Sequence, residues 1–280
     1  MALMEKIVWT APPDLPGVEI LSVENNQRPW TVFHQTYSIC NIDTFTDESG
    51  IESPGEAEWA YRGRQHRAPA RSLMLLEPGE VHYNTRTPPP CTFSVVLIDP
   101  SIVSTIAVES NLRPNPHLKE AASFDPKLYR AFVRFHAALA KQTSLLHRQS
   151  LLMNCIGALL SAHGERNIRP FANPGRRRLQ RARDFLEQHS EENVSLDHVA
   201  TVAGLSRFHF LRSFTREFGI PPHAYQINLR ADRVRILLKA GVPLNTIESG
   251  FSDQSHLIRH FRRAFGVTPG QYLAMLRKSA

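Results

Sequence analysis

An internal duplication in the last third of the chain constrains its fold more than any other feature. When residues 177–280 are aligned with themselves at an offset of 47 positions, a series of matched sites carries the same amino acid. The matched pairs are His209 with His256, Arg212 with Arg259, Phe214 with Phe261, Arg216 with Arg263, Phe218 with Phe265, Gly219 with Gly266, Pro222 with Pro269, and Tyr225 with Tyr272. A unit this short is a supersecondary motif that buries its apolar face against a neighbour. The chain therefore carries two copies of one small unit.

Each copy consists of a short helix, a tight turn and a second helix. Gly204 and Gly250 mark the turns, and Ser206 precedes the second helix of the first copy, where a serine can cap free backbone N–H groups. This order is typical of a helix-turn-helix motif, and two motifs in tandem are a much stronger signal than one. The pattern predicts helices over residues 177–189, 196–203, 207–218 and 222–240.

The second helix of each copy has an apolar face that we expect to pack inward. Apolar side chains recur at positions i, i+4 and i+8, which lie on one side of a helix. These residues are Phe210, Phe214 and Phe218 in the first copy and Leu257, Phe261 and Phe265 in the second.

The opposite face of each second helix combines arginine with apolar residues, as surfaces that contact base edges do. Arg212 and Arg259 can each make a bidentate contact with guanine. Leu211 and Ile258 can meet thymine methyl groups. The arginines that are better placed for backbone phosphates are Arg216, Arg262 and Arg263.

The charge distribution supports a polyanionic partner for this region. The chain has a net charge of +7. Residues 1–170 hold 16 Lys+Arg and 17 Asp+Glu, a balance of −1, whereas residues 171–280 hold 17 and 9, a balance of +8. Because all the excess is in the duplicated part, the sequence indicates a neutral domain joined to one that binds nucleic acid.

These motifs resemble the C-terminal signature of the AraC/XylS family of bacterial transcription factors. The signature is matched by residues 196–200, 204–206, 214–222, 250–261 and 265–269. The resemblance implies a DNA-binding domain over residues 177–280 whose two recognition helices enter successive major grooves of double-stranded DNA. It places base contacts on Phe208, Leu211 and Arg212 in the first unit and on Gln254, Ser255 and Arg259 in the second.

The second unit departs from the family pattern. Leu196 precedes Arg212 by 16 residues, but Leu244 precedes Arg259 by 15, so the helix before Gly250 is predicted to be short. We therefore expect the second recognition helix to be less firmly seated than the first.

The first half of the chain has the pattern of an antiparallel β domain. Short runs rich in β-branched and aromatic residues alternate with Gly, Pro and Asp clusters between residues 18 and 100, which favours a barrel or sandwich. Helical periodicity begins near Asp125 and predicts two helices that close this domain. Residues 59–64, 72–76 and 78–82 resemble the cupin-type effector domain of the same family. The predicted fold is α+β, with a cupin-like barrel over residues 1–163, a linker over 164–176 and an all-α DNA-binding domain.

The barrel offers candidates for an effector pocket but no metal centre. Inward positions of a barrel alternate with outward ones. The candidates for the cavity wall are Trp59, Tyr61, His66, His82, Asn84, Ser94 and Val96. A cupin metal site needs at least three ligands, and the sequence has no HxH pair, so we predict no metal and no cofactor.

The implied function is a ligand-responsive transcription regulator that is not an enzyme, with RNA polymerase as a further partner if it activates. Two alternatives stay open: a metal-dependent cupin enzyme with a DNA-binding tail, and a constitutive DNA-binding protein whose barrel only dimerises. The apolar stripe of the closing helices either packs wholly against the barrel or partly faces a second copy of the chain, as the family resemblance implies. We favour the homodimer, with a seam formed by Leu145, Leu152, Ile156 and Leu159. Three widely spaced cysteines and the lack of a long apolar run indicate a cytoplasmic protein with no membrane segment.

Overall fold

The structure is a computed structural model, and it describes residues 4–46, 52–53, 56–69, 71–84, 90–110, 112–139, 143–164 and 174–279. Its first half is built of antiparallel strands that form two sheets. The strands are β1 (Lys6–Thr10), β2 (Val18–Asn26), β3 (Thr31–Val32), β4 (Tyr37–Thr46), β5 (Glu52–Ser53), β6 (Glu56–Tyr61), β7 (Arg64–Pro69), β8 (Leu73–Leu76), β9 (His82–Tyr83), β10 (Cys91–Ile98) and β11 (Ala122–Ser123).

The larger sheet has the order β1-β2-β10-β4-β8-β11, with β5 paired to β4, and the smaller has the order β3-β9-β6-β7. Together they form the predicted barrel-like domain, and the predicted fold class is confirmed.

Among the residues that the structure describes, three helices accompany the sheets, one more than the sequence pattern predicted. They are α1 (Pro100–Glu109), α2 (Pro126–Leu139) and α3 (Leu145–His163). Helix α1 has its own start signal, since the Asp99 carboxylate accepts from the backbone N–H of Ser101 and Pro100 occupies the first turn. Its apolar residues Val103 and Ile106 are buried against the sheet side that faces α3.

Three of the four residues expected to form a dimer seam on α3 are buried inside the domain, so the predicted seam is wrong. Leu152, Ile156 and Leu159 are buried in the core between α3, α2 and the larger sheet, and only Leu145 is exposed. A side chain that fills the core of its own domain is not available to a second copy. The homodimer itself stays a prediction.

The second half is helical, as predicted. Its helices are α4 (Pro174–Gln188), α5 (Leu196–Ala203), α6 (Arg207–Phe218), α7 (Pro222–Lys239), α8 (Gln254–Phe265) and α9 (Pro269–Ser279). The apolar stripes predicted on α6 and α8 are buried, with Phe210, Phe214 and Phe261 fully enclosed. Because α4 begins at Pro174, the predicted linker is too long at its C-terminal end, and residues 165–173 lie outside the described part of the chain.

The helix before Gly250 is short, as the spacing predicted. A single 3₁₀ turn, Leu244–Thr246, stands where the first unit has α5. This does not leave α8 loose. The Arg230 guanidinium donates to the carbonyl of Gly250 at 2.5 Å and to that of Ser190 at 2.7 Å, which ties the turn to the end of α4.

The two halves share an apolar core. The indole N–H of Trp9 in β1 donates to the carbonyl of Phe265 at 3.2 Å, and the Trp9 ring packs edge-on against Phe265 and Tyr272. On the other side of the interface, the rings of Phe33 and Tyr225 stack 5.0 Å apart. The barrel therefore contacts both helix-turn-helix units.

A buried ionic network also joins the halves. The guanidinium of Arg235 on α7 donates to Glu19 on β2 at 2.6 Å and to Asp232 at 2.8 Å. Lys239 and the hydroxyl of Tyr272 donate to the same Glu19 carboxylate at 3.0 and 2.8 Å. Burial alone would raise the pKa of Glu19, but Arg235 and Lys239 outweigh it and lower the pKa to about 2. Glu19 is therefore ionised and fully partnered.

We expect Arg235→Met to lower the free energy of unfolding by about 3–5 kcal/mol, because it leaves Glu19 and Asp232 buried with fewer partners. Urea titration of the full chain measures this change. The control, Lys6→Met, removes the exposed pair with Glu24 and should cost less than about 1 kcal/mol. A cost for Arg235→Met as small as that of the control would show that the network does not stabilise the interface.

Candidate functional site

The outer face of α6 carries the predicted contact residues of the first unit. Phe208 is 69% exposed and Leu211 is 37% exposed, and Arg212 also faces solvent. The guanidinium carbon of Arg212 lies 5.5 Å from the centre of the Phe208 ring. This cation–π contact holds the arginine against the helix before any DNA is bound.

The outer face of α8 has a similar composition. Gln254, Ser255 and Arg259 are exposed, and Ile258 is half-buried beside them. Asp253 caps the helix, since its carboxylate accepts the backbone N–H of His256 at 2.7 Å. That hydrogen bond, with another from the Ser252 hydroxyl, lowers the pKa of Asp253. The start of the second recognition helix is thereby fixed.

The predicted phosphate contacts Arg216, Arg262 and Arg263 are all exposed. Those on α8 border a shallow groove that also receives Arg28, a residue of the barrel half that sequence reasoning missed. The groove is lined by Arg28, Ser255, Ile258, Arg259, Arg262, Arg263 and Thr268. The structure brings the second unit's predicted DNA contacts together on this one surface, apart from Gln254 at the start of the helix.

The C-terminal ends of both recognition helices abut the barrel at equivalent positions. Gly219 ends α6 and Gly266 ends α8, both with φ 78° and ψ −15°, a left-handed conformation that glycine adopts without strain. A Cβ at Gly219 would come within 3.1 Å of the Tyr83 ring. One at Gly266 would meet the ends of the Ile7 and Arg28 side chains, which would have to move. The backbone conformation requires glycine at both positions, and the barrel packs closely against both.

A cavity of about 300 Å³ lies between the sheets, and α8 forms part of its wall. Apolar side chains of the barrel form most of its wall. These include Leu21, Val23, Trp30, Trp59, Met74, Leu76, Phe93 and Val95. Polar residues on the wall are Asn26, Arg28, His34, Glu56, Glu58, His82 and Asn84. Ala264 and Phe265 of the second recognition helix also line the cavity. Such a mainly apolar chamber with a few polar groups suits a small organic molecule.

Three of the seven predicted pocket residues line this cavity: Trp59, His82 and Asn84. Tyr61 is buried, with its hydroxyl accepting the backbone N–H of Glu77 at 3.2 Å. His66 lies behind the wall, with its ring 5.5 Å from that of Trp59. Neither is among the lining residues.

The prediction placed Ser94 and Val96 on the wrong face of β10. Phe93 and Val95 line the cavity, and Val96 packs in the core on the helix side. Most of this strand is apolar on both faces, and a bulge shifts its pairing near Cys91, so alternation in the sequence does not identify the inward face.

Two histidines on the cavity wall are neutral at physiological pH. Burial lowers the pKa of His34 to about 3, and nearby Arg235 adds to the effect. Burial likewise lowers the pKa of His82 to about 3. The rings lie 5.9 Å apart. A ligand in the cavity would meet uncharged imidazoles.

The described residues offer little for the enzymatic alternative. No group of three metal-ligating His, Cys, Asp or Glu side chains occurs in the described ranges. Burial raises the pKa of the Cys91 thiol to about 11 and that of Cys155 to about 12, which suppresses the thiolate that a nucleophile requires. In the same ranges, no helix combines the length and apolarity needed to cross a bilayer.

The buried histidines predict a pH dependence of stability. Their pKa values are lowered in the folded state, so the unfolded chain binds more protons as the pH falls below about 6.5, and folding loses stability from there toward pH 3. Each should contribute a loss of about 2 kcal/mol between pH 7.5 and 5.0. Urea titrations at several pH values across this range measure the free energy of unfolding. This free energy should fall less steeply with decreasing pH in the double variant His34→Gln/His82→Gln than in the unaltered chain. The exposed His209→Gln is the control, and an equal slope in all three proteins would contradict the assignment.

Comparison with known proteins identifies both halves. Residues 199–275 match the family described as a helix-turn-helix domain, and residues 53–156 match the AraC-like ligand binding domain. The chain is 29% identical over 214 residues to the uncharacterized HTH-type transcriptional regulator YbfI of Bacillus subtilis, covering 74% of this chain and 77% of that protein. It is 27% identical over 153 residues to the probable transcriptional regulator LumQ of Photobacterium leiognathi, covering 52% and 62%.

Solved structures support the fold over nearly the whole chain. A ligand-free single-substitution variant of ToxT from Vibrio cholerae is similar with a TM-score of 0.55 at 12% identity, over 94% of this chain and 98% of that one. ToxT with an unsaturated fatty acid bound is similar with a TM-score of 0.53 at 15% identity, over 94% of this chain and 96% of that one. The ligand-binding match followed by the helix-turn-helix match gives the chain the domain order of an AraC-type transcriptional regulator.

Proposed function

We propose that this regulator contacts two adjacent major grooves of its operator through α6 and α8, and that a small molecule in the interdomain cavity controls this binding. The observation that carries the proposal is the shared wall. Phe265 belongs both to the second recognition helix and to the cavity lining. A molecule in the cavity would therefore touch the element that contacts DNA.

The base contacts follow from exposure and chemistry. Phe208, Leu211 and Arg212 on α6, and Gln254, Ser255 and Arg259 on α8, are solvent-exposed and point away from the buried stripes. Arginine at the centre of each face favours guanine, and the flanking apolar groups favour thymine. Arg216, Arg262 and Arg263 would fix the helices on the phosphate backbone.

The effector would act through the closure of the two halves. A ligand changes an equilibrium only by its difference in affinity between states. The cavity wall includes residues of both halves, so a ligand would bind the closed arrangement more tightly than an open one. We propose that the regulator acts in the cytoplasm as a homodimer, with RNA polymerase as a further partner if it activates transcription. If the barrel served only for dimerisation, no small molecule would change the affinity of the protein for DNA.

Arg212→Ala should relax sequence preference at one operator position by about 1–3 kcal/mol, because it removes a base contact. Arg216→Ala should weaken binding to all sequences about equally and reduce the salt dependence, because it removes a phosphate contact. Selection from random duplex DNA with the full-length protein, followed by titrations at several salt concentrations, measures both effects. An unchanged preference in Arg212→Ala would refute its base contact.

A cavity-filling variant tests the effector site. ToxT, which shares this fold, has been crystallised with an unsaturated fatty acid, so palmitoleate is a reasonable probe, with neutral 2-naphthol beside it. Binding of either should raise the melting temperature and change DNA affinity. Val95→Phe, on the cavity wall, should abolish the response. Val108→Phe adds the same bulk at a position that is 54% exposed and should preserve it. A response that survives Val95→Phe would place the ligand elsewhere.

A further inference from the structure

Arg28 belongs to the ligand-binding half, but its side chain lies at the end of the second recognition helix. It follows β2 in the chain and sits on the connection to β3. Its guanidinium is close enough to Gly266 that a Cβ there would come within 2.6 Å of Nη2. It also borders the groove formed by Arg259, Arg262 and Arg263. The barrel thus adds a fourth guanidinium to a basic surface of α8.

The cavity wall positions this arginine. The amide groups of Asn26 and Asn84 both donate to the backbone carbonyl of Arg28 at 3.4 Å, and all three residues line the cavity. The Arg28 side chain is 42% exposed, and its Nε lies 2.8 Å from the Glu5 carboxylate. The Glu5 side chain is only 24% exposed, so the pair is partly buried. It keeps the Arg28 guanidinium at the edge of the groove on α8.

We propose that Arg28 contacts a DNA backbone phosphate beside α8, so that the ligand-binding domain is itself part of the DNA interface. The proposal rests on the proposed function, since it places DNA on the outer face of α8. A guanidinium has five N–H donors in a planar fork that fits a phosphate as well as a carboxylate. Glu5 holds the fork in position in the free protein and competes with the phosphate for it.

Removing the arginine tests the contact directly. The duplex is the one selected by the unaltered full-length protein, and no effector is added. Arg28→Gln should weaken binding several-fold and reduce the slope of log affinity against log salt by about 0.9, the value for one phosphate. Preference among base sequences should not change. Arg67→Gln is the matched control, since Arg67 is a 65% exposed barrel arginine paired with Glu58, and it should leave both quantities unaltered.

Removing the competing carboxylate should have the opposite sign. Glu5→Gln frees the Arg28 fork and should strengthen binding, whereas Glu24→Gln, which removes an acidic partner of Lys6, should not. In the Arg28→Gln background, Glu5→Gln should have little effect, because the two act through one contact. If Arg28→Gln lowers the melting temperature by several degrees, Glu5→Gln carries the test, since it leaves the arginine in place.

The outcomes separate the inference from the proposed function. If Arg259→Ala alters binding but Arg28→Gln and Glu5→Gln match their controls, the Arg28 contact is refuted and the role of α8 stands. If Arg259→Ala also leaves binding unchanged, the proposed DNA surface itself is wrong. A loss in Arg28→Gln without a change in salt slope would likewise overturn the phosphate contact.

Discussion

The closed arrangement of this molecule depends on the buried guanidinium of Arg235. A charge removed from water is tolerated only when its hydrogen-bonding groups are satisfied, and here Glu19 and Asp232 satisfy it from opposite halves of the chain. The same carboxylate of Glu19 accepts from Lys239 and Tyr272. If the two halves separated, Glu19 would lose its hydrogen bonds to Arg235, Lys239 and Tyr272 at the same time. The network therefore favours one relative orientation over a range of loosely docked ones.

One part of the cavity wall depends on that orientation. Most of the wall comes from the barrel, and Ala264 and Phe265 add the part that belongs to α8. Ligand affinity, interdomain packing and the position of α8 are consequently linked quantities. By reciprocity, DNA that favours the closed arrangement also raises affinity for the ligand, and DNA that disfavours it lowers that affinity by the same factor.

The sequence predicted the second half better than the first, for physical reasons. The helix-turn-helix units are specified by local signals: a 3.6-residue apolar period, glycines past helix ends and a visible repeat. Local signals do not specify which face of a barrel strand points inward. Strand β10 is largely apolar on both faces, so Ser94 and Val96 were assigned to the wrong face. Helix α1 was missed although Asp99 and Pro100 mark its start. The pairing of Glu19 with Arg235 joins residues 216 positions apart and has no local signature.

The glycine joints at the ends of α6 and α8 have a consequence for operator architecture. Since both helices end against the same barrel and are joined by α7, the same set of contacts sets their separation and relative rotation. One base pair inserted between their subsites would turn one subsite by about 35° relative to the other, given about 10–10.5 base pairs per helical turn. If α6 and α8 contact DNA as proposed, following that rotation would require at least one of them to leave its contact with the barrel. Its binding sites should therefore conserve helical phase more strictly than the identity of the bases in between.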